Sequence, residues 1–429
     1  MKAPSLTLSP RAVNRVRFAA ILGVLGPGLV SGFADNDAGG ITTYSVAGVK
    51  YGYELLWVLL ASQIVLFFTQ EVGARLGLAT GQGLTGLVRE RFGVRWVTFL
   101  TITMLIANVG SIVAEFAGTA AALSLFGVWP AVSAAIAATV VILLITRGSF
   151  GKVQYLFVAV GIGVSLAYFA SALMSHPDWG KAFSSLVVPS GSGSAAYWLA
   201  VVATVGTTIT PWGQAFIQSY CADKRLGPED LIGERLDVGL GALLTNLIAA
   251  FIVVACAAAL WSHNVVINTG SADAVPQIAK ALAPLAGEAA TVLFAVGLLA
   301  ASFLGLGVVP LTSAYAACEA FGWETGVDWR LREAPAFYGL IIFFIVFAAF
   351  FVLIPGLPLV EVMFMAQVLN ALLLPFVLVF VMLLASDKTL MGPLVSGRFL
   401  QLVGWAGTAL LVVLSLTLVV TSVASIGAG

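Results

Sequence analysis

Long apolar runs recur from one end of this 429-residue chain to the other, and they limit the folds open to it more than any other feature. The hydrocarbon core of a bilayer is about 30 Å thick, so a helix that crosses it needs roughly 20 apolar residues. Runs of that kind predict eleven membrane-spanning helices and hence an all-α polytopic membrane protein. The predicted spans fall near residues 18–46, 53–74, 97–126, 129–146, 153–174, 197–220, 240–262, 288–318, 336–354, 358–385 and 403–426.

Composition supports one membrane-embedded unit rather than several soluble domains. Only 9% of the residues are charged, whereas soluble domains carry about 25%. The net charge is zero, so we expect a lipid bilayer as the surroundings and no nucleic-acid partner. The three cysteines (Cys221, Cys256 and Cys318) are odd in number and widely separated, which favours buried thiols over disulfides or metal ligands.

The distribution of Lys and Arg predicts the orientation of the chain, since translocated loops tend to lack these residues. With the N-terminus inside, seventeen of the twenty Lys and Arg lie in inner segments, and only Lys50, Lys181 and Lys280 lie outside. The basic start is followed by an apolar run that contains Asp35 and Asp37, which predicts a first membrane helix rather than a cleaved signal peptide. Short loops with this bias are typical of the inner (cytoplasmic) membrane of a prokaryotic cell, with a cytoplasmic N-terminus.

Two spans are interrupted at mid-depth. The first contains Gly26-Pro27-Gly28 and then Asp35-Asn36-Asp37-Ala38-Gly39-Gly40, and the sixth contains Gly206-Thr207-Thr208-Ile209-Thr210-Pro211-Trp212-Gly213. Pro removes a backbone donor and Gly tolerates unwinding, so both spans are expected to break. Unwound backbone at membrane depth persists only where protein or a watery cavity satisfies it. Paired interruptions at corresponding positions of two halves indicate a transporter site.

Because spans one and six correspond, the sequence predicts a five-plus-five inverted repeat with an additional eleventh helix. The expected parts are a cytoplasmic N-terminal segment (1–17), a first five-helix repeat (18–174), an extracellular linker (175–196), a second five-helix repeat (197–385), and a C-terminal part with the eleventh helix (386–429).

Asp37 is the strongest candidate for a functional residue. A carboxylate near the bilayer centre is costly, so it needs a cation or a strong donor. Beside it, the first broken span offers free carbonyls around Gly40, and the sixth offers the hydroxyls of Thr207 and Thr210. Oxygen ligands of this kind suit a hard divalent cation such as Mg²⁺. Alternatively, Asp37 caps the second half-helix by accepting backbone N–H groups, a role compatible with cation binding.

Other polar residues leave alternatives open. Asp35 either lines the cavity entrance and attracts cations or satisfies the unwound backbone, and Asn36 is expected to line the same cavity. Gln367 in the tenth span either turns its amide oxygen toward the ion or forms an interhelical hydrogen bond. Four acidic residues of an inner loop are expected to form a solvated face: Glu229, Asp230, Glu234 and Asp237.

Several motifs in combination resemble the Nramp family of divalent metal transporters over most of the chain. They are Gly26-Pro27-Gly28, Asp37-Ala38-Gly39-Gly40, Tyr51-Gly52-Tyr53-Glu54-Leu55-Leu56-Trp57-Val58-Leu59-Leu60, Ala74-Arg75-Leu76-Gly77, Ala114-Glu115-Phe116, the break at Pro211, and Gln367 followed by Leu374-Pro375-Phe376. The resemblance implies a LeuT-type fold and transport of divalent metal ions.

The chain also departs from the family pattern at two motifs. Where the family reads Asp-Pro-Gly-Asn, this chain reads Asp37-Ala38-Gly39-Gly40, and where the family reads Met-Pro-His, it reads Thr210-Pro211-Trp212. Loss of the Met thioether removes a soft ligand that favours transition metals. Gly40 in place of Asn is expected to leave room for an ion that keeps several waters, as Mg²⁺ does. The pattern therefore resembles the Nramp-related magnesium transporter branch, with Mn²⁺ also accepted.

The same comparison bears on proton coupling. The helix-six histidines of the family align with Trp212 and Ile217, and a helix-three acid aligns with Ile112. The two histidines of the chain, His176 and His263, fall in predicted outer loops. Trp212 is expected to form a cavity wall, and Glu115 is either a proton relay in the cavity or a structural carboxylate between helices. With so few proton carriers, we expect uncoupled, facilitated movement.

Two rival functions stay open. One is a proton-coupled Mn²⁺/Fe²⁺ symporter like ordinary family members. The other is a sodium-coupled amino-acid carrier with the same broken helices, against which Asp37 argues because it would repel the carboxylate of the substrate. An enzyme is not expected, since the spans contain no paired acids, Ser/His/Asp set or Cys/His cluster. We expect a monomer without a cofactor, the metal ion being the substrate.

Overall fold

A computed structural model describes residues 26–147, 150–191, 193–271, 273–327 and 329–427. Eighteen α-helices and no β-strand lie within these ranges. In chain order the helices are α1 (Pro27–Ala34), α2 (Ala38–Tyr51), α3 (Leu56–Thr80), α4 (Leu84–Phe92), α5 (Val94–Ser124), α6 (Pro130–Thr146), α7 (Phe150–Met174), α8 (Trp179–Val187), α9 (Ala195–Thr208), α10 (Pro211–Asp223), α11 (Leu231–Ala259), α12 (Ala274–Ala279), α13 (Ala283–Ala286), α14 (Ala290–Phe321), α15 (Pro335–Val352), α16 (Leu359–Ala385), α17 (Lys388–Met391) and α18 (Arg398–Gly427).

Every predicted span coincides with one of these helices or with a pair of them. The continuous spans are α3, α5, α6, α7, α11, α14, α15, α16 and α18. In the described part of the chain, seven helices are long and apolar enough to cross a membrane on their own, and α7 with α8 forms a further apolar pair bent by 119°. The predicted all-α polytopic membrane architecture is confirmed. The predicted N-terminal segment 1–17 and the first residues of the first span, 18–25, lie outside the described residues.

Both predicted breaks are present, and the sequence explains where each half-helix begins. In the first span α1 ends at Ala34 and α2 begins after Asp37, whose carboxylate accepts the N–H of Gly40 at 2.6 Å. In the sixth span α9 ends at Thr208 and α10 begins at Pro211, which needs no N–H partner in the first turn. The hydroxyl of Thr210 caps α10 by accepting the N–H of Gly213 at 3.1 Å.

Helix α11 holds the first half-helix in place. An added Cβ on Gly32 would lie 2.7 Å from the carbonyl oxygen of Gly241, so the backbones of α1 and α11 approach each other directly. At the start of α1, the carboxylate of Asp237 accepts the backbone N–H groups of Gly26 (3.0 Å), Gly28 and Leu29 (3.3 Å). Asp237 thus satisfies the free donors of a helix that has no capping side chain of its own.

The expectation of a solvated inner acidic face is wrong for two of its four members. Glu234 and Asp237 are fully buried, because they lie inside α11 and face the elements packed against it. Glu229 and Asp230 remain at the surface, in the turn before α11. The expectation for the cysteines is confirmed, since Cys221, Cys256 and Cys318 are buried free thiols.

Candidate functional site

Asp37 lies at the break of the first span and is fully buried. Its Oδ1 atom accepts the N–H of Gly40, as expected of a helix cap. Its Oδ2 atom is buried and accepts no hydrogen bond from a donor group, while the carboxyl group of Glu115 interacts with the same side chain. The two alternatives for Asp37 therefore use different atoms, because one carboxylate oxygen caps α2 and the other is left available for a cation.

Three oxygen atoms crowd around Gly40. A Cβ added there would lie 2.9 Å from the carbonyl oxygen of Asp35, 3.0 Å from Oγ1 of Thr207 and 3.3 Å from Oδ1 of Asp37. The Thr207 hydroxyl is fully buried and has no hydrogen-bonding partner. The space that an asparagine side chain would need at position 40 is thus occupied by oxygen atoms. With glycine at this position, a carbonyl, a hydroxyl and a carboxylate converge.

Gln367 reaches the site from α16. It is fully buried, and a Cβ added on Gly39 would lie 1.8 Å from its Nε2 atom, so the amide rests directly against the start of α2. Its Oε1 atom accepts Nδ2 of Asn370 at 2.9 Å, on the same helix, while Nε2 has no partner. Asn370 in turn donates to Ser111 of α5 at 2.9 Å. The side chain is therefore at the site, with its amide nitrogen against Gly39 and its amide oxygen directed to Asn370.

Thr210 lies against the other aspartate of the break. Its hydroxyl donates to Oδ1 of Asp35 at 3.1 Å while accepting the N–H of Gly213. Asp35 is 1% exposed, and its Oδ2 atom has no hydrogen-bonding partner. Asn36, between the two aspartates, turns toward α11 and donates to the carbonyl oxygen of Thr245 at 3.3 Å. The break thus presents its polar side chains in different directions.

Glu115 and Trp212 close the site from two further helices. Glu115 of α5 is fully buried, and its Oε2 atom accepts the N–H of Ala38 at 3.3 Å, so it shares the N-terminus of α2 with Asp37. Gly305 of α14 packs directly on this side chain, since an added Cβ would lie 2.6 Å from the Glu115 carboxyl carbon. Trp212 is fully buried and packs edge-to-face on Phe216, with ring centroids 6.3 Å apart.

Two glutamines that the sequence analysis did not single out also belong to this region. Gln70 of α3 donates to the hydroxyl of Ser31 at 3.3 Å, and its Oε1 atom has no partner. Gln214 of α10 has no partner for either amide atom. Each is 1% exposed. A glutamine within an apolar run is the only signal the sequence gives for them, and it does not indicate which face of the helix turns inward.

A cavity of about 670 Å³ opens at the end of α10 remote from Asp37. It is lined by helix ends and loops from three parts of the chain that the Lys and Arg distribution places on one side of the membrane, among them Gln82, Arg89, Ser219, Arg225 and Glu319. We call this 670 Å³ space the inner cavity.

The two histidines lie away from this cavity, since His176 and His263 are exposed at the ends of α7 and α11.

The ligands available around Asp37 are oxygen atoms. Within the described ranges, no group of three or more His, Cys, Asp and Glu side chains is arranged to hold a metal ion. An ion at this break would therefore meet one or two carboxylates together with hydroxyl, carbonyl and water oxygens. Hard cations such as Mg²⁺ and Mn²⁺ accept that combination.

Comparisons with known proteins agree with this architecture. Residues 28–421 match the family model described as natural resistance-associated macrophage protein-like (Nramp). The divalent metal cation transporter MntH of Deinococcus radiodurans is 29% identical to this chain, over 95% of the chain and 91% of that protein.

Two solved structures share the fold. The crystal structure of the Eremococcus coleocola manganese transporter, in complex with an aromatic bis-isothiourea substituted compound, has a TM-score of 0.74 at 22% identity, covering 96% of this chain and 92% of that one. MhsT in complex with L-phenylalanine has a TM-score of 0.63 at 16% identity, covering 92% of this chain and 98% of that one. With the breaks in the first and sixth spans, these likenesses confirm the predicted LeuT-type fold.

Proposed function

The chain belongs to the Nramp family, and from that premise we propose that it carries divalent metal ions across a membrane by alternating access. We further propose that Mg²⁺ is its main ion, that Mn²⁺ is also accepted, and that no proton moves with either. The observation that carries the proposal is the buried carboxylate of Asp37, whose Oδ1 atom belongs to the oxygen atoms gathered around Gly40 and whose Oδ2 atom receives no hydrogen bond from a donor. A buried carboxylate that stays ionised is stabilised by a cation, and transport supplies one.

Position 210, where the family usually has the thioether sulfur of Met, holds Thr210 in this chain. This difference supports Mg²⁺ as the main ion. Position 210 holds a hydroxyl, and that hydroxyl is already shared between Asp35 and the N–H of Gly213. The sulfur of Met363 is engaged by the hydroxyl of Thr42 at 3.4 Å, and it is Gln367, one turn further along α16, that rests against Gly39. Oxygen ligands without a thioether do not discriminate against Mg²⁺.

The scarcity of proton acceptors supports uncoupled movement. The chain has two histidines, and both are exposed at helix ends. Glu115 accepts a backbone N–H from the start of α2, a contact that suits a carboxylate with a structural role. Proton coupling would require a group near the ion that takes up and releases a proton in each cycle, and neither histidine lies there.

We also propose that the N-terminus is cytoplasmic and that the protein resides in the inner membrane of a bacterial cell. Seventeen of the twenty Lys and Arg fall on the side that this orientation makes cytoplasmic. The inner cavity, with Arg89 and Arg225 in its wall, would then open to the cytoplasm. The oligomeric state proposed is a monomer, because both broken spans come from one chain.

Ion preference provides the test of the magnesium assignment. We expect Thr210→Met to raise the ratio of Cd²⁺ to Mg²⁺ uptake about tenfold in proteoliposomes, a difference of about 1.4 kcal/mol, because a long thioether would supply a soft ligand. Thr210→Val is the matched control, since it removes the same hydroxyl without adding sulfur, and it should leave the ratio near that of the wild type. Equal ratios for the two variants would mean that position 210 does not set the preference.

A further inference from the structure

A second group of oxygen atoms lies at the break, apart from those around Gly40. The hydroxyl of Thr210 donates to Oδ1 of Asp35 at 3.1 Å, and Nε2 of Gln70 donates to the hydroxyl of Ser31 at 3.3 Å. Three of these groups converge on Gly213, where an added Cβ would lie 2.8 Å from Oγ1 of Thr210, 3.4 Å from Oδ1 of Asp35 and 3.6 Å from Oγ of Ser31, and Gln70 joins them through Ser31. We call Asp35, Thr210, Ser31 and Gln70 the inner cluster.

The inner cluster contains buried acceptors that the protein does not satisfy. Asp35 and Gln70 are each 1% exposed, and Oδ2 of Asp35 and Oε1 of Gln70 have no hydrogen-bonding partner. Within the described ranges, the ion pairs between side chains involve Glu71 and Asp387, and none involves Asp35. A buried carboxylate without a positive partner is unfavourable. Both unsatisfied atoms are oxygens, which is what a cation requires.

The position of Asp35 at the end of α1 also favours a cation. Asp35 is the C-terminal cap of α1, where the backbone carbonyls make the helix end negative. A carboxylate is unfavourable at that end of a helix, whereas a cation is favourable there. Asp37, by contrast, sits at the N-terminus of α2, where a carboxylate is stabilised even without an ion. Thr210, the N-cap of α10, offsets part of this cost by donating to Oδ1 of Asp35, and Oδ2 is left available for a cation.

A polar face of α10 runs from the inner cluster toward the inner cavity. Thr210, Gln214 and Gln218 are spaced four residues apart and therefore lie on one face of the helix. Gln214 is 1% exposed and has no partner for either amide atom. Gln218 donates to the carbonyl oxygen of Gln82 at 3.1 Å, and Gln82 lines the inner cavity. A cation released from Asp37 would meet oxygen atoms along this face.

We propose that the inner cluster is a second binding site for the divalent cation, on the path between Asp37 and the inner cavity. The inference rests on the proposed transport function. Asp35 supplies the negative charge, Thr210 and Ser31 supply hydroxyl oxygens, Gln70 supplies an amide oxygen, and water completes the coordination. Because two divalent ions at neighbouring residues of one break repel each other, the two sites are occupied in turn rather than together.

Mn²⁺ binding to the purified protein in detergent tests this, with free Mn²⁺ measured by electron paramagnetic resonance. We expect one bound Mn²⁺ in the wild type and in Asp35→Asn. In Asp37→Asn we expect one bound Mn²⁺, with an affinity at least tenfold lower than that of the wild type. In the double variant, which combines Asp35→Asn with Asp37→Asn, we expect no bound Mn²⁺. A folded Asp37→Asn protein that binds no Mn²⁺ while the wild type does would overturn the inner cluster and leave the proposed function intact. A wild type that neither binds nor transports Mn²⁺ or Mg²⁺ would overturn the proposed function itself.

A second pair of variants leaves both aspartates in place. Gln70→Leu removes an oxygen of the inner cluster, and we expect it to slow Mn²⁺ uptake into proteoliposomes at least fivefold while the affinity at equilibrium changes less than twofold. Gln63→Leu is the matched control, since Gln63 is another glutamine of α3 with an unpartnered amide oxygen, two turns away from Gln70. Equal uptake rates for the two variants would contradict the proposed path.

Discussion

Asp37→Ala is expected to lower Mg²⁺ uptake into proteoliposomes at least 100-fold. Asp37 is fully buried, and no donor group of the protein reaches its Oδ2 atom. Leaving a buried charge without its partner costs about 3–5 kcal/mol. A bound cation that loses the Asp37 carboxylate becomes such an unpaired charge. At about 1.4 kcal/mol for each factor of ten, the loss corresponds to at least two orders of magnitude.

The capping role of Asp37 can be separated from its charge. Asparagine accepts a backbone N–H as well as aspartate does, so Asp37→Asn keeps the bond to Gly40 and loses only the charge. We expect Asp37→Asn to unfold at nearly the wild-type temperature and to lose uptake as Asp37→Ala does. Asp237→Asn is the matched control, because Asp237 is a buried aspartate that caps α1 away from the oxygens around Gly40, and its uptake should stay within about twofold. Wild-type uptake in Asp37→Asn would reduce Asp37 to a helix cap.

The second large effect is expected at Gly206. A Cβ added there would lie 2.0 Å from the carbonyl oxygen of Gln367 and 2.7 Å from the backbone nitrogen of Ala371, so α9 and α16 touch through their backbones at this point. Gly206→Ala would have to push the two helices apart, and overpacking of this kind costs about 1–3 kcal/mol. Because α16 carries Gln367 against Gly39, the same displacement moves the amide away from the site.

We therefore expect Gly206→Ala to lower the thermal unfolding temperature in detergent by several degrees and to reduce Mg²⁺ uptake at least tenfold. Gly163→Ala is the matched control, since an added Cβ on this helical glycine would meet nothing within 4 Å. Alanine is the better helix former by about 1 kcal/mol, so Gly163→Ala should be as stable as the wild type or more stable. Equal unfolding temperatures for Gly206→Ala and the wild type would contradict the close approach of α9 and α16.

The breaks could be predicted because their causes are local. Gly, Pro and polar residues within an apolar run disrupt a helix wherever they occur, so the residues around Asp37 and Pro211 were identifiable from their immediate neighbours. Because the first and sixth spans are interrupted in the same way, the five-plus-five inverted repeat could be predicted as well. Capping by Asp37 followed from the same local pattern, because its partner Gly40 is three residues away.

Contacts between distant parts of the chain could not be predicted in this way. Asp237 was expected at a solvated surface, yet it caps a helix whose first residues lie about 210 positions earlier in the chain. Gln70 and Gln214 carry no signal of the face they turn inward. The packing of Gln367 on Gly39 depends on the approach of α16, which only the three-dimensional structure gives.

Gly40 illustrates a prediction that the structure refines. Its small size was expected to leave room for a hydrated ion, but the neighbouring oxygen atoms of Asp35, Thr207 and Asp37 occupy that space. The missing side chain therefore brings ligands closer to one another. Alternating access offers a physical reason for this arrangement, since a break that closes over the site in one state must separate again to admit a hydrated ion.

The central claim is uncoupled transport of Mg²⁺, and uptake by proteoliposomes that contain both a Mg²⁺ indicator and a pH indicator tests it most directly. We predict that Mg²⁺ enters down its gradient, that the internal pH stays constant, that Mn²⁺ competes, and that Asp37→Ala abolishes the signal. Entry of Mn²⁺ together with acidification of the interior, while Mg²⁺ neither enters nor competes, would contradict the account and indicate a proton-coupled symporter instead.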